Sequence, residues 1–345
     1  MIHVKKNMGI MLVSIVVVAI VIGAWALTTT QQKERLVVST TTSLYETGLL
    51  DVLDNKFETK HPDLNVTFIS QGTGLAIQTA MRGDADMILV HDPAREKAFL
   101  DDGYGVNRKI IAYNYFVIVG PEEDLAGVEG LDPVNALLAI KAAGEEGEAL
   151  WVSRGDDSGT HAKEKRLWIA GGEDATELRD LPWYLEAGSG MTATLNLADE
   201  KRAYTLCDMG SYLNNYVLGN IDLNIVVEAG KDTLNVYSAI ACDPRNGDLK
   251  HVKFNHAMEF IEFLVSDEVQ EVLADFGVDK FGQPLFYPAV EILETNTDPT
   301  TASWIKELAF IDGTECPPEK RYEAGDLTFL NIALILLPIR RENLS

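Results

Sequence analysis

Leu36-Val37-Val38-Ser39-Thr40-Thr41-Thr42-Ser43 is the stretch whose reading decides the fold. It begins as a β-rich run and ends in hydroxyls, so it predicts a first strand with a polar carboxyl end. Leu49, Leu50, Leu53 and Phe57 follow at helical spacing. They predict an amphipathic helix over 47–59, ended by Pro62. Residues 64–70 read as a second strand, Gly72-Thr73-Gly74 as a turn, 75–81 as a helix and 85–90 as an apolar third strand. This repeated β-loop-α order predicts an α/β fold with a mostly parallel sheet covered by helices on both faces. Ligands of such sheets sit at the carboxyl ends of strands, where Thr41, Thr42, Ser43 and Thr73 all fall.

The alternation restarts further on. Asn114-Tyr115-Phe116-Val117-Ile118-Val119-Gly120 is a strong strand ended by Pro121, and 134–144 reads as a helix. Ala149-Leu150-Trp151-Val152 then predicts a strand, and 162–168 a helix. Between them runs Ser153-Arg154-Gly155-Asp156-Asp157-Ser158-Gly159-Thr160-His161. A small-residue turn leading into a helix leaves first-turn amides without partners, and the helix dipole favours an anion there. Ser158 and Thr160 add hydroxyl donors, and Arg154 adds a planar fork suited to an oxyanion. Residues 178–190 read as irregular and 192–202 as a helix. Strands are expected over 203–206, 222–228 and 236–242, and helices over 254–265 and 269–276. The expected organisation is two α/β lobes, 36–113 with 242–288 and 114–241. They would be joined by a two-strand hinge crossing at 114–117 and 236–240, and would close on a ligand.

Composition bounds the function. The 345 residues are 46% hydrophobic and 24% charged, with a formal net charge of −24. Such acidity excludes nucleic acid as a partner, because phosphate backbones are held by basic patches. It also repels anions at long range, so an anion site must rely on local dipoles. Cys207, Cys242 and Cys316 make neither a disulfide framework nor a zinc motif, and read as buried thiols. At the N-terminus, Lys5 and Lys6 precede the uncharged run 10–27. As a helix that run would be roughly 27 Å long, near the hydrocarbon thickness of about 30 Å. Residues 1–27 are expected to be a membrane anchor, with removal as a signal peptide after Ala24-Trp25-Ala26 the alternative. Residues 28–35 would be a tether to an exported remainder.

Each feature has a plain reading. Thr41 to Ser43 could simply cap a helix, and Arg154 could pair with Asp156 or Asp157 at the surface. Three hydroxyl-rich turns at helix starts, split over two lobes, favour one shared anion cradle. Ser153, Ser158, Asp156, Asp157 and His161 also invite a nucleophilic-enzyme reading. A triad needs a base touching the nucleophile, which neighbours within one turn rarely achieve, and no Gly-x-Ser-x-Gly elbow is present. No P-loop or dinucleotide fingerprint occurs. His91 with Asp92 reads as a turn, and the remaining histidines are scattered. No enzyme activity, cofactor or metal site is expected.

Several of these stretches together resemble the extracellular tungstate-binding proteins of ABC importers. They are Thr40-Thr41-Thr42-Ser43, Gly72-Thr73-Gly74, Gly83-Asp84-Ala85-Asp86 with Val90-His91, Asp102-Gly103-Tyr104-Gly105-Val106-Asn107-Arg108, the Ser153–His161 turn, Trp183-Tyr184-Leu185-Glu186 with Gly190-Met191-Thr192-Ala193-Thr194-Leu195, and Pro284-Leu285-Phe286-Tyr287-Pro288. The resemblance implies the type II periplasmic-binding-protein fold, capture of tungstate or molybdate, and delivery to a permease and its ATPase. By position it implies ligand contacts from Thr41, Thr42, Ser43, Thr73 and Arg154, with Ser158 and Thr160 beside them. Two departures stand out. Met209 occupies a position where the family usually has arginine, and 289–345 extends beyond the usual end. In that extension, 327–339 is an apolar run too short to span a bilayer and followed by Arg340 and Arg341. Packing of the extension on the protein is the expectation. Phosphate is the rival ligand, because it keeps a proton that Asp156 or Asp157 could accept. A membrane-tethered hydrolase and a sensor ectodomain are the alternatives from other classes.

Overall fold

The computed structural model describes residues 33–228 and 230–322. The expectations for 1–27, for most of the tether and for the 327–339 run lie outside the described residues. Among the described residues no helix is long and apolar enough to cross a membrane.

The chain starts in the first lobe with β1 (Glu34–Thr41), α1 (Thr42–Tyr45), α2 (Leu49–Lys60), β2 (Leu64–Gln71), α3 (Thr73–Met81), β3 (Met87–Val90) and α4 (Pro93–Asp101). β1 is flanked in parallel by β2 and β3. Its residues from Leu36 onward are all buried, as a strand covered on both faces requires. Successive side chains alternate between faces. Leu36 and Val38 join Leu49, Leu50, Leu53 and Phe57 of α2, while Val37 joins Ala76, Ile77 and Ala80 of α3 on the other side.

β4 (Gly105–Gly120) then leaves for the second lobe. There it is followed by α5 (Pro133–Glu145), β5 (Trp151–Ser153), α6 (Gly159–Ala170), α7 (Ala175–Leu178), β6 (Tyr184–Glu186), α8 (Met191–Lys201), β7 (Thr205–Asp208), α9 (Met209–Val217) and β8 (Asn224–Val227). The end of β4 lies between β7 and β8. Here too alternation feeds two cores. Phe116 and Ile118 meet Leu137, Ile140 and Trp168, and Val117 and Val119 meet Met191, Leu195 and Tyr212. The chain returns through β9 (Leu234–Cys242), α10 (Phe254–Leu264), α11 (Asp267–Asp275), α12 (Val278–Phe281) and β10 (Tyr287–Pro288), and ends with α13 (Val290–Thr295) and α14 (Pro299–Ala309).

Three expectations are corrected. The sheet is not mostly parallel: its order is β10-β4-β9-β3-β1-β2, and β4, β9 and β10 run antiparallel to their neighbours. The chain goes out along β4 and comes back along β9, so these two strands must oppose each other. From Val236 on, β9 pairs with β3 or with the first-lobe half of β4. Residues 236–241 therefore join the first-lobe sheet, while Leu234 and Asn235 pair with Tyr115 and Asn114 at the hinge. β1 begins at Glu34, inside the expected tether. Residues 105–113, which carry no periodic signal, are strand. Asn107 there takes a left-handed φ of 55° at a register irregularity between Val106 and Lys109.

Residues 289–322 pack on the protein. Ala289, Ile305 and Ala309 cover Ile110, Tyr113, Leu234 and Val236 beside the hinge. Beyond α14, Glu315 accepts from the Ile110 amide at 2.7 Å, and the Tyr322 amide donates to Asn107 Oδ1 at 2.7 Å. The three cysteines are free and buried; Cys207 and Cys242 sit in the cores of different lobes.

Candidate oxyanion cradle between the lobes

The first-lobe rim is built at two strand ends. Thr41 closes β1 and stands before α1, with Thr42 and Ser43 as its first residues. Thr41 and Ser43 are buried, and their hydroxyl oxygens lie 3.5 Å apart. Gly72 precedes α3, whose first turn has no side-chain cap. The first intrahelical bond there runs from the Ala76 amide to Gly72 O. Thr73, the first helical residue, is fully buried, and its hydroxyl has no hydrogen-bond partner among the described residues.

The second-lobe rim is the loop from β5 to α6. Arg154 is 2% exposed. Its Nε donates to Asp156 Oδ2 at 2.9 Å, and one Nη2 hydrogen goes across the cleft to Thr42 Oγ1 at 2.6 Å. Asp156 Oδ1 accepts from the Ser158 amide at 3.1 Å. The pairing of Arg154 with Asp156 is thus a buried brace, not a surface pair, and it fixes both the guanidinium and the turn. Ser158 caps α6 by accepting from the His161 amide, and the first intrahelical bond runs from Ala162 to Ser158 O. The Gly159 and Thr160 amides precede that bond, at the positive end of the helix. Thr160 Oγ1 is buried without a partner, like Thr73 Oγ1 on the other lobe. Gly155 and Asp157 hold positive φ, of 63° and 59°, which lets the turn fold tightly enough to aim those amides.

The two rims touch. A Cβ on Gly72 would lie 3.4 Å from Asp156 O and 3.7 Å from Ser158 Cα, which is van der Waals contact across the cleft. Arg95 pairs with Asp157, and Arg166 with Asp92 at 3.1 Å. Glu46 Oε2 accepts from Thr192 Oγ1 at 3.4 Å. All seven residues expected at the site, Thr41, Thr42, Ser43, Thr73, Arg154, Ser158 and Thr160, lie on these facing rims.

A polar floor that local pattern does not reveal lies at the hinge. His91 Nδ1 bonds Asn235 Oδ1 at 2.8 Å. Asn235 Nδ2 donates to Asn114 Oδ1 and to Tyr237 Oη, which leaves its Oδ1 to accept and assigns the His91 proton to Nδ1. Ser43 of the rim neighbours the Tyr237 hydroxyl. Burial pushes His91 down to about 4, with the Asn235 bond opposing; its ring is neutral and packs on Gly159. Asp208 and Ser211 open α9, and Asp208 Oδ2 and Ser211 Oγ are buried without partners. Burial raises the Asp208 carboxyl, and hydrogen bonding from Ser211, then Arg154 nearby, lowers it again in part. Asn114, Asn235 and Tyr237 come from two strands more than a hundred positions apart, so no spacing in the sequence could have grouped them.

The chemistry of the cradle is donation: hydroxyls, first-turn amides and a guanidinium. No serine–histidine pair forms in the loop. Ser153 Oγ donates to Glu164, Ser158 Oγ serves the backbone, and His161 Nδ1 accepts from the Asp157 amide at 3.2 Å. Among the described residues no group of three or more His, Cys, Asp or Glu is placed to hold a metal.

Comparison with known proteins agrees with this architecture. Residues 27–268 match the PBP superfamily domain. A protein of Haloferax volcanii, provisionally named an ABC transporter anion-binding protein, is 44% identical over 261 residues, covering 74% of this chain and 72% of that protein. The tungstate-binding protein TupA of Peptoclostridium acidaminophilum is 37% identical over 262 residues, covering 75% of this chain and 87% of TupA. Among solved structures, the tungstate ABC transporter protein of Geobacter sulfurreducens superposes with a TM-score of 0.62 at 40% identity, over 70% of this chain and 99% of its own. TupA of Desulfovibrio alaskensis G20 gives 0.62 at 39% identity, over 74% and 99%. By the domain match and by these identities over most of its length, the chain belongs to the PBP superfamily and, within it, to the family of the tungstate-binding proteins.

Proposed function

We propose that this chain captures tungstate, or molybdate, between its lobes outside the cytoplasmic membrane and hands it to an ABC permease driven by its ATPase. The observation that carries the reading is the pair of buried hydroxyls without partners, Thr73 Oγ1 and Thr160 Oγ1, one on each lobe at a helix start. A buried donor left unsatisfied costs about 1–3 kcal/mol, and an oxyanion lodged between the lobes would relieve both at once. Arg154 keeps its Nη1 donors for the ligand after serving Asp156 and Thr42. Thr41, Thr42, Ser43 and Ser158 would complete the cradle. Hydrogen bonds with a charged partner contribute about 1.5–3 kcal/mol each, so a handful would hold the anion against ordering costs.

The donor set also bears on selectivity. Both oxygens of Asp156 are engaged, and Asp157 is turned outward to Arg95. Neither is offered to the proton that phosphate carries, whereas tungstate and molybdate carry none at neutral pH. One observation keeps phosphate as the second reading: the buried Asp208 Oδ2, near Arg154, lacks a partner. Residues 1–27 would anchor or export the chain. The absence of a nucleophile–base pair in the loop, and relatives that are binding proteins, favour a binding role over hydrolysis.

The test is thermal unfolding with tungstate, molybdate, sulfate and phosphate in turn. A ligand at 100 times its dissociation constant adds about 2.7 kcal/mol. Tungstate and molybdate are expected to raise the midpoint, and Arg154→Ala to abolish the rise. A midpoint that no oxyanion moves rejects the reading; a rise with phosphate alone favours the second.

A further inference from the structure

Beneath the second-lobe rim lies a buried carboxylate that the cradle does not use. Glu164 of α6 is 1% exposed. Its Oε1 accepts from Trp151 Nε1 at 2.8 Å, Trp168 Nε1 at 3.3 Å and Tyr184 Oη at 2.5 Å. Its Oε2 accepts from Ser153 Oγ at 2.8 Å. Indole N–H groups can only donate, so Oε1 is held as an acceptor. Burial and the Glu164 charge push the Tyr184 phenol far up, which keeps it a donor too. All four donors are neutral, and among the described residues no Lys or Arg forms an ion pair with Glu164.

The position of this carboxylate is as telling as its partners. Trp151 and Ser153 bracket β5, and Ser153 immediately precedes Arg154. Tyr184 opens β6, the strand beside β5. Thr160 lies one helical turn before Glu164, on the same face of α6, and helical side chains lean toward the N-terminus. The carboxylate therefore ties together both ends of the Arg154 loop, one helical turn along α6 from Thr160.

We propose that Glu164 is a positioning residue with a second, electrostatic role: its hydrogen bonds hold the Arg154 loop in shape, and its uncompensated negative charge holds oxyanion affinity down so that the ligand can be released. This rests on the oxyanion reading of the cradle. Release matters to a carrier, because an anion gripped by every available donor leaves slowly. A fixed like charge behind the cradle opposes the ligand in proportion to the ligand's own charge.

That proportionality supplies the test. Glu164→Gln keeps the hydrogen bonds, because the amide oxygen can take the indoles and the amide nitrogen can donate to Ser153 once that hydroxyl turns; only the charge goes. In the full-length chain purified in detergent, calorimetry with tungstate, a dianion, and perrhenate, a tetrahedral monoanion, separates charge from shape. Glu164→Gln is expected to tighten tungstate about tenfold and perrhenate about threefold, the square-root relation of a Coulomb effect. Equal changes for the two anions, or weaker binding of both, overturn the electrostatic role. Ser153→Ala removes one loop tether and no charge, and is expected to weaken both anions by the same factor. If it weakens neither, the positioning role falls, even where Glu164→Gln does not fold. Failure of the wild-type chain to bind tungstate would instead overturn the proposed function.

Discussion

Two buried glutamates, one per lobe, make an instructive pair. Glu96 on α4 is fully buried and ion-paired: Arg108 Nε donates to its Oε2 at 2.8 Å, Ser238 Oγ donates to the same oxygen, and the Asp92 amide serves Oε1. Arg108 in turn donates to Glu315 O of the C-terminal strap at 2.8 Å. Glu164 is just as buried, yet its partners are two indoles, a phenol and a hydroxyl. The first cluster pairs its charge with Arg108 and joins α4, β4, β9 and the segment around Glu315. The second keeps a charge, next to the loop that faces the cleft. Burial of an acid is therefore no guide to its role; the partners decide whether the charge is silent or felt by a ligand.

The sharpest way to break this contrast is Arg108→Ala. It strips the cation from a buried pair, which costs about 3–5 kcal/mol, and denaturant unfolding should show a loss of that size with oxyanion selectivity unchanged. Acid is the next lever, through the first-lobe floor rather than either glutamate. His91 is neutral when folded, at about 4, against 6.5 for the free side chain. The unfolded chain binds its proton first, so the stability this residue contributes is complete above pH 6.5 and is lost as pH falls towards 4. The total is about 3 kcal/mol, and His91→Gln should flatten that part of the stability–pH curve. A flat wild-type curve between pH 6.5 and 4 would contradict the buried neutral ring.

Smaller effects sharpen the comparison at the rims. Thr73→Val and Thr160→Val each remove a hydroxyl that has no partner in this structure. Each should weaken oxyanion binding by about tenfold while leaving the unliganded midpoint equal or slightly higher; isothermal titration beside melting curves checks both halves. Smallest is Asp157→Ala. Its side chain is 60% exposed, and exposed pairs contribute at most about 1 kcal/mol. Affinity should fall less than about threefold, and the difference should vanish in high salt.

What could be read along the chain was whatever local chemistry repeats or signals by itself. The alternation of strands and amphipathic helices, the hydroxyls closing β1, the Gly72-Thr73-Gly74 turn and the Arg154 loop are all short-range patterns, and they led to the two-lobed α/β fold and the seven rim residues. The same means missed the strand over 105–113, because Asn107 and Arg108 look like loop residues until Tyr322 and Glu96 are seen to satisfy them. They also misplaced β9, since strand propensity says nothing about which sheet a strand joins. The reach of the pairings explains the rest. The Asn114–Asn235 floor, the Arg154–Thr42 bridge and the four donors around Glu164 join positions 4 to 121 apart in sequence. Local sequence determined which groups could donate; only tertiary packing decided which donors would be spoken for and which would be left waiting in the cleft, because burial and partnership are set by long-range neighbours.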